Sequence, residues 1–319
     1  PLMFLVVVAS NLLRGSGDAL RPMIFSITGT VTNIILDPLL IFGVGPFPEM
    51  GVRGAALATV ISQLLSTGLC FYYIVARKSA YRVKLAHLKP NLSILCDIYR
   101  VGIPTMTMII TESVVFALFN NLLSAFGSLA IAAVGICFRI ADLVWMPMYG
   151  VSQGLLPIVG FNFGARLWKR LWRAVKLASV GSVLFSVLAL GVLQIFTPQL
   201  IGIFTDDSEL IAIAVPAMRI ILSSLVIIGP SMLFVTTFQG LSKGLEAMIL
   251  SLVRQFIFVV PLLFLLPRIW GINGVWLSLP ISDTLAFLVS GLWLFREYKL
   301  QQRARTRVDI LVPEADSGD

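Results

Sequence analysis

Histidine, cysteine and charge are all scarce in this chain. His87 is the only histidine among 319 residues, so a zinc site, which draws on imidazole, thiolate and carboxylate ligands in close spacing, is not expected. The three cysteines, Cys70, Cys96 and Cys137, show no CxxC spacing, and two of them lie inside apolar runs. That excludes a disulfide framework and a thiolate metal cluster. Charged residues make up only 13% of the sequence, about half the share of an ordinary soluble domain. Also missing at the front are a methionine, a charged n-region and a cleavage site, since the chain opens at Pro1 within an apolar stretch. It does not start like a signal peptide, and we read it as lacking its N-terminal part.

What is abundant is apolar surface: 58% of the residues are hydrophobic and the mean hydropathy is +0.94. The bilayer is the solvent that suits such a chain. The net charge of +8 does not signal a nucleic-acid partner, because the basic residues occur in short bursts between apolar runs instead of clustering on one solvated face. Such bursts are typical of cytoplasmic loops.

A membrane-spanning helix needs roughly 20 apolar residues to cross about 30 Å of hydrocarbon. Runs of that kind lie near 22–43, 54–76, 101–126, 129–163, 177–196, 210–238, 247–266 and 272–295, and residues 1–13 resemble the tail of one more. The expected fold is therefore an all-α polytopic membrane protein with about eight complete helices and a partial one. The run 129–163 is long for one span and short for two, and it contains Pro147 and Pro157. Charge decides between the two counts. Taken as one helix, it puts Arg14, Arg21, Arg77, Lys78, Arg100, Arg166, Lys169, Arg170, Lys243, Arg296 and Lys299 on one side. The other side keeps only Arg53 and Arg268, with Glu49, Asp206, Asp207 and Glu209. Splitting it would put later basic loops outside, against the positive-inside rule.

The polar stretch 77–100, with its weakly amphipathic run Leu85–Leu95, reads as a cytoplasmic linker on the membrane surface between two halves. Residues 297–319 pass from basic to acidic and read as a disordered cytoplasmic tail. The chain also repeats itself. Arg14–Ile24 aligns with Gln239–Ile249, with Gly15 on Gly240 and Met23 on Met248, and Gly51-Val52-Arg53-Gly54 aligns with Gly271-Ile272-Asn273-Gly274. Both copies face the same way by the charge count, and parallel repeats are a known transporter plan with the substrate path between halves.

Ionisable groups within a span are costly, so each needs an explanation. Glu112 lies about mid-span with no basic residue near it on its own helix. It is either a carboxylate that exchanges a proton or pairs with a cationic substrate, or a protonated glutamate bonded between helices. Asn33 and Asp37, four apart, share a helix face, and Thr59 on the next helix lies at the same depth. These are hard oxygen ligands suited to Na⁺ or to a proton relay, or else helix–helix hydrogen-bonding groups. Arg139 and Asp142, three apart, are expected to neutralise each other, so Asp142 is a weak site candidate. Asp283, without a local partner, is another. Arg254 is expected to snorkel to the cytoplasmic interface. Trp145, Met146 and Met148 are suited either to lining an apolar pocket or to packing. Gly15-Ser16-Gly17-Asp18 fits the GxGD pattern of intramembrane aspartyl proteases, but it sits in a basic loop and no Tyr-Asp partner occurs in the chain. No enzymatic activity is expected.

Several stretches, in order and spacing, resemble the multidrug and toxic compound extrusion family of efflux transporters. They are Leu13-Arg14-Gly15-Ser16-Gly17-Asp18, Asn33-Ile34-Ile35-Leu36-Asp37, the run Gly51–Gln63, Gly102-Ile103-Pro104, Pro147–Gly154 and Gly160–Ala165. The resemblance covers nearly the whole chain. It implies a two-lobe, twelve-helix fold, with residues 1–76 the remainder of the N-terminal lobe from the end of helix 4, 77–100 the inter-lobe linker, 101–296 the C-terminal lobe and 297–319 the tail. It also implies export of organic cations or amphipathic compounds against Na⁺ or H⁺, by a monomer in the inner membrane. The family's N-lobe cation site uses asparagine, aspartate and threonine at the positions of Asn33, Asp37 and Thr59, with helix-1 residues that this chain does not contain. Glu112 matches a glutamate that some members carry on helix 7. The helix-10 aspartate of some relatives has no match between Leu210 and Phe238. Other substrates on the same architecture, such as lipid-linked saccharides or metabolites, remain open, as does a non-transporting receptor or scaffold.

Overall fold

The computed structural model describes residues 2–76 and 91–311, with side chains as far as residue 302. All regular structure in the described residues is helical. Eight helical stretches are long and apolar enough to cross a membrane, at Leu20–Ile41, Val52–Val75, Leu92–Ser124, Ser128–Gly164, Trp168–Ile195, Ser208–Gly240, Gly244–Trp270 and Ile272–Gln302. A shorter apolar helix, Leu2–Gly15, precedes them. The chain divides into two compact units, Pro1–Leu95 and Cys96–Asp319.

The first unit holds α1 (Leu2–Gly15), α2 (Leu20–Ile41) and α3 (Val52–Val75). Small residues set the α2–α3 approach: Gly54, Ala58, Ser62 and Ser66 recur every fourth position along α3 and are buried. Lipid is as apolar as leucine, so close backbone packing and hydrogen bonds hold such helices together in place of hydrophobic burial. Ser66 Oγ donates to the Phe25 carbonyl at 3.1 Å, and Gly29 faces the same serine. At the far end Arg21 pairs with Asp18 at 2.6 Å and stacks over Tyr73. Burial pushes the Asp18 carboxyl up, but the hydrogen bonds and charge of Arg21 more than offset it and hold the group below the usual carboxylate range.

The second unit starts within α4 (Leu92–Ser124). Residues 77–90 of the expected linker lie outside the described residues, and residues 92–100 are already helical, begun where Asn91 Oδ1 accepts from the Ser93 amide at 3.0 Å. α5 (Ser128–Gly164) is one continuous helix through both Pro147 and Pro157, as the charge count requires. It packs on α6 (Trp168–Ile195), on α8 (Ser208–Ile221) and on α9 (Leu225–Gly240), with the short α7 (Thr197–Gly202) between α6 and α8. A 3₁₀ turn, Leu222–Ser224, joins α8 to α9 within one span. The next span runs as α10 (Gly244–Leu252), a π-helical stretch Val253–Val259, α11 (Val260–Leu265) and α12 (Pro267–Trp270). α13 (Ile272–Leu311) closes the unit. One core gathers Phe119, Cys137, Ile140, Met218, Leu225 and Trp276, and a second gathers Leu171, Leu233, Phe238 and Leu241.

The tail expected to be disordered from residue 297 is helical as far as Leu311. Residues 297–307 are mostly Glu, Lys, Leu, Gln and Arg, all strong helix formers that carry α13 out of the apolar layer. The start is also pinned, because buried Glu297 accepts from Lys243 Nζ at 2.6 Å and from Gln301 Nε2 at 2.9 Å.

The repeat survives in backbone detail. Gly17 and Ser242 both take positive φ, +89° and +60°. Around them the amides of Gly17 and Asp18 donate to Arg14 and Leu13, as those of Ser242 and Lys243 donate to Gln239 and Phe238. Gly51 and Gly271, at φ +53° and +56°, start α3 and α13 alike. Three residues on, a Cβ at Gly54 would stand 2.3 Å from the Leu40 carbonyl oxygen, and one at Gly274 would stand 2.2 Å from that of Leu266.

The α6 span supplies a direct check on sidedness. A cysteine placed at Lys169 is expected to react with impermeant maleimide only from the cytoplasm, and one at Asp207 only from outside. Labelling of position 169 from outside would overturn the charge count.

Candidate functional site

In the first unit α2 presents Asn33 and Asp37 on one face, half-buried, with Asn33 Nδ2 donating to Asp37 Oδ1 at 3.3 Å. The contacts Gly29–Ser66 and Gly54–Leu40 bracket this stretch from both ends of the hairpin. Thr59 falls between the same brackets on α3 and so shares the level of Asn33 and Asp37. It is exposed, its hydroxyl donates to its own helix at Ala55 O (2.9 Å), and no hydrogen bond joins it to either residue. The structure thus joins two of the three expected residues directly and places the third at their level. The pair offers a carboxylate and an amide oxygen from one helix face, and the Thr59 hydroxyl oxygen keeps a free lone pair. That donor chemistry fits a hard monovalent cation or a proton.

In the second unit Met108 of α4 touches Gln239 of α9, and Phe119 of α4 lies 6.4 Å from the Trp276 ring of α13. Glu112 lies seven residues from Phe119 and Asp283 seven residues from Trp276. Seven residues is nearly two turns, so each acid keeps the face of its aromatic neighbour and lies about 10 Å from the ring contact. Because α4 and α13 run in opposite directions, both displacements lead to the same level. Glu112 is exposed, whereas Asp283 is buried.

Arg254 departs from expectation. It does not reach for the interface, but donates from Nε to Asp283 Oδ1 at 2.9 Å, with Nη2 at 2.7 Å from the same oxygen. Ser224 Oγ donates to Asp283 Oδ2 at 2.8 Å. Asp283 therefore has two partners, both on other helices. Arg254 sits in the π-helical stretch and Ser224 in the 3₁₀ turn. Departures from α-helical winding inside a span concentrate at functional sites and hinges, and here two of them converge on one carboxylate. The Glu112 charge also acts on the Arg254 guanidinium.

Arg139 and Asp142 are both exposed on α5, and no ion pair joins them. A spacing of three permits an i,i+3 contact but nothing packed against this exposed face enforces it. Asp142 stays a weak candidate. Met148 is buried in the core and Met146 is exposed. Trp145 belongs to an aromatic row with Phe138 (5.8 Å), which also meets Phe116 at 5.6 Å. Its buried Nε1 has no hydrogen-bond partner. A groove of about 500 Å³, lined by Trp172, Lys176, Phe234 and Tyr298 among others, shares no residue with these acids.

Among known proteins, the family model MatE matches residues 104–265. The multidrug export protein MepA of Staphylococcus haemolyticus is 30% identical over 307 residues, covering 95% of this chain and 65% of that protein. MepA of Staphylococcus saprophyticus is 28% identical over 295 residues, covering 92% and 64%. The chain therefore spans just under two thirds of these relatives. A crystal structure of MATE in complex with MaL6 superposes with a TM-score of 0.86 at 26% identity, over 95% of this chain and 68% of the other. An outward-facing multidrug resistance MATE family transporter of the MOP superfamily gives 0.85 at 27% identity, over 93% and 66%.

Proposed function

The chain belongs to the MatE family, and from that membership we propose that the protein is a secondary active exporter moving organic cations or amphipathic drugs outward against Na⁺ or H⁺. Its setting is the cytoplasmic membrane, and it works as a monomer. In this proposal residues 1–76 belong to an N-terminal lobe and 101–296 form the C-terminal lobe. Asn33, Asp37 and Thr59 carry the coupling cation, and Glu112 attracts the substrate. Asp142 has no assigned part. No cofactor takes part beyond the coupling ion.

The observation that carries this reading is the placement of Glu112. It is a carboxylate in mid-span, exposed, on the helix face that meets the aromatic row of Phe116, Phe138 and Trp145. A carboxylate with aromatic rings close by is the chemistry that recognises a lipophilic cation, through Coulomb attraction in a low-dielectric site and through the ring quadrupoles.

The test is ion-gradient-driven uptake into inverted vesicles made from cells expressing the full-length gene product. Glu112→Gln is expected to lower transport of a cationic drug about tenfold, the equivalent of one lost charge-assisted contact of ~1.4 kcal/mol, while a neutral drug keeps most of its rate. Equal losses for both drugs would reduce Glu112 to a structural residue.

A further inference from the structure

The export reading gives Arg254 no part, yet a permanent cation in mid-span is costly and needs a purpose. Its pairing with Asp283 is asymmetric. The acid's side chain is 5% exposed and fixed through both oxygens, while the arginine side chain as a whole is 35% exposed. Both Arg254 contacts fall on one carboxylate oxygen, Oδ1, instead of forming the two parallel bonds of the strongest arginine–carboxylate geometry. Nη1 has no hydrogen-bond partner among the described residues. At the level of Asp283, on α4, lies the exposed Glu112. The guanidinium is thus held by one carboxylate and acted on by the charge of a second. Its π-helical setting supplies a backbone that can re-register without unwinding the span.

We propose that Arg254 is a tethered counter-cation, which competes with the exported organic cation for Glu112, and that Asp283 sets the affinity of Glu112 by holding Arg254 away from it. The proposal rests on the cation-export reading. When Asp283 releases it, the guanidinium shields Glu112 and keeps a bare carboxylate from standing unpaired in the membrane. With substrate bound, Asp283, itself held by Ser224, retains the guanidinium. Arg254 is here a specificity-determining residue, and Asp283 and Ser224 position it.

The probe is tetraphenylphosphonium, a permanent lipophilic cation, titrated calorimetrically into the full-length gene product in detergent. Asp283→Asn is expected to weaken binding tenfold or more, because Arg254 then turns to Glu112. Adding Arg254→Gln to that variant is expected to restore binding and carry it several-fold past wild type, since no tethered competitor remains. Repeating the series with Glu112→Gln should flatten it. A purely structural ion pair predicts that the double variant binds no better than Asp283→Asn, and that result overturns the proposal. If Asp283→Asn fails to run as a single species on size exclusion, the double variant decides alone: tighter than wild type upholds the tether, and equal or weaker overturns it. Tetraphenylborate, an anion of the same shape, tests the opposite role. Wild-type binding of it that disappears in the double variant would make Arg254 an anion site and overturn the tether. Wild-type protein that binds no tetraphenylphosphonium overturns the export reading and the tether together. Wild-type binding that ignores the Asp283 and Arg254 substitutions overturns the tether alone.

Discussion

Asp37→Asn is expected to abolish ion-driven export while leaving the protein folded and inserted. The carboxylate is half-buried on α2, and among the described residues it accepts a 3.3 Å hydrogen bond from Asn33, at the long end for such bonds. An amide in its place keeps the shape and can still meet Asn33, so packing of the α2–α3 hairpin has no reason to fail. What the amide cannot do is bind and release a cation or a proton in each cycle, because it carries no charge at any pH of the cycle. The loss should therefore appear in gradient-driven uptake and not in membrane yield or in binding of tetraphenylphosphonium at equilibrium. Uptake at wild-type rates in Asp37→Asn would remove the coupling role from this residue.

The largest stability effects are expected at two glycines. A valine at Gly274 would drive its Cβ to 2.2 Å from the Leu266 carbonyl oxygen and 2.7 Å from the Pro267 nitrogen, and one at Gly54 to 2.3 Å from the Leu40 oxygen. These neighbours are backbone and cannot swing aside, so the helices must part. Overpacking of this kind costs about 1–3 kcal/mol when side chains can yield and more when they cannot. Gly274→Val and Gly54→Val should each lower the melting temperature of detergent-solubilised protein sharply or prevent recovery of a single species. Gly181→Ala, with nothing within 4 Å of its added methyl, is the control. It should hold or raise the melting temperature, as alanine is the better helix former by about 0.5–1 kcal/mol. Equal tolerance at all three positions would contradict the close approach.

The spans were legible because a long apolar run records its own solvent, and α5 was legible as one helix because loop charge reports side even where Pro147 and Pro157 obscure continuity. Asn33 and Asp37 could be paired from sequence, since a spacing of four fixes a shared face within one helix. Arg254 and Asp283 could not. They lie 29 residues apart on different helices, and no local spacing encodes which faces two helices turn toward each other. The same limit hid Lys243 and Glu297, which are 54 apart, and with them the reason the segment after Glu297 is not loose. The Arg139–Asp142 expectation failed the other way. Spacing permits contact, but on an open face nothing enforces it.

The paired hairpins have a genealogy. Gly51 with Gly54 and Gly271 with Gly274 share both an unusual backbone and a near-identical clash distance, and the turn at Gly17 recurs at Ser242 without its glycine. One ancestral segment, doubled and fused, accounts for all three correspondences, with geometry outlasting residue identity where a side chain could tolerate it. The acids do not follow that descent. In the alignment Asn33 and Asp37 stand opposite Phe258 and Leu262. What the two copies share is thus the joinery, and the carboxylates belong to one copy alone. Each copy can therefore carry its own polar groups without altering the way its helices meet.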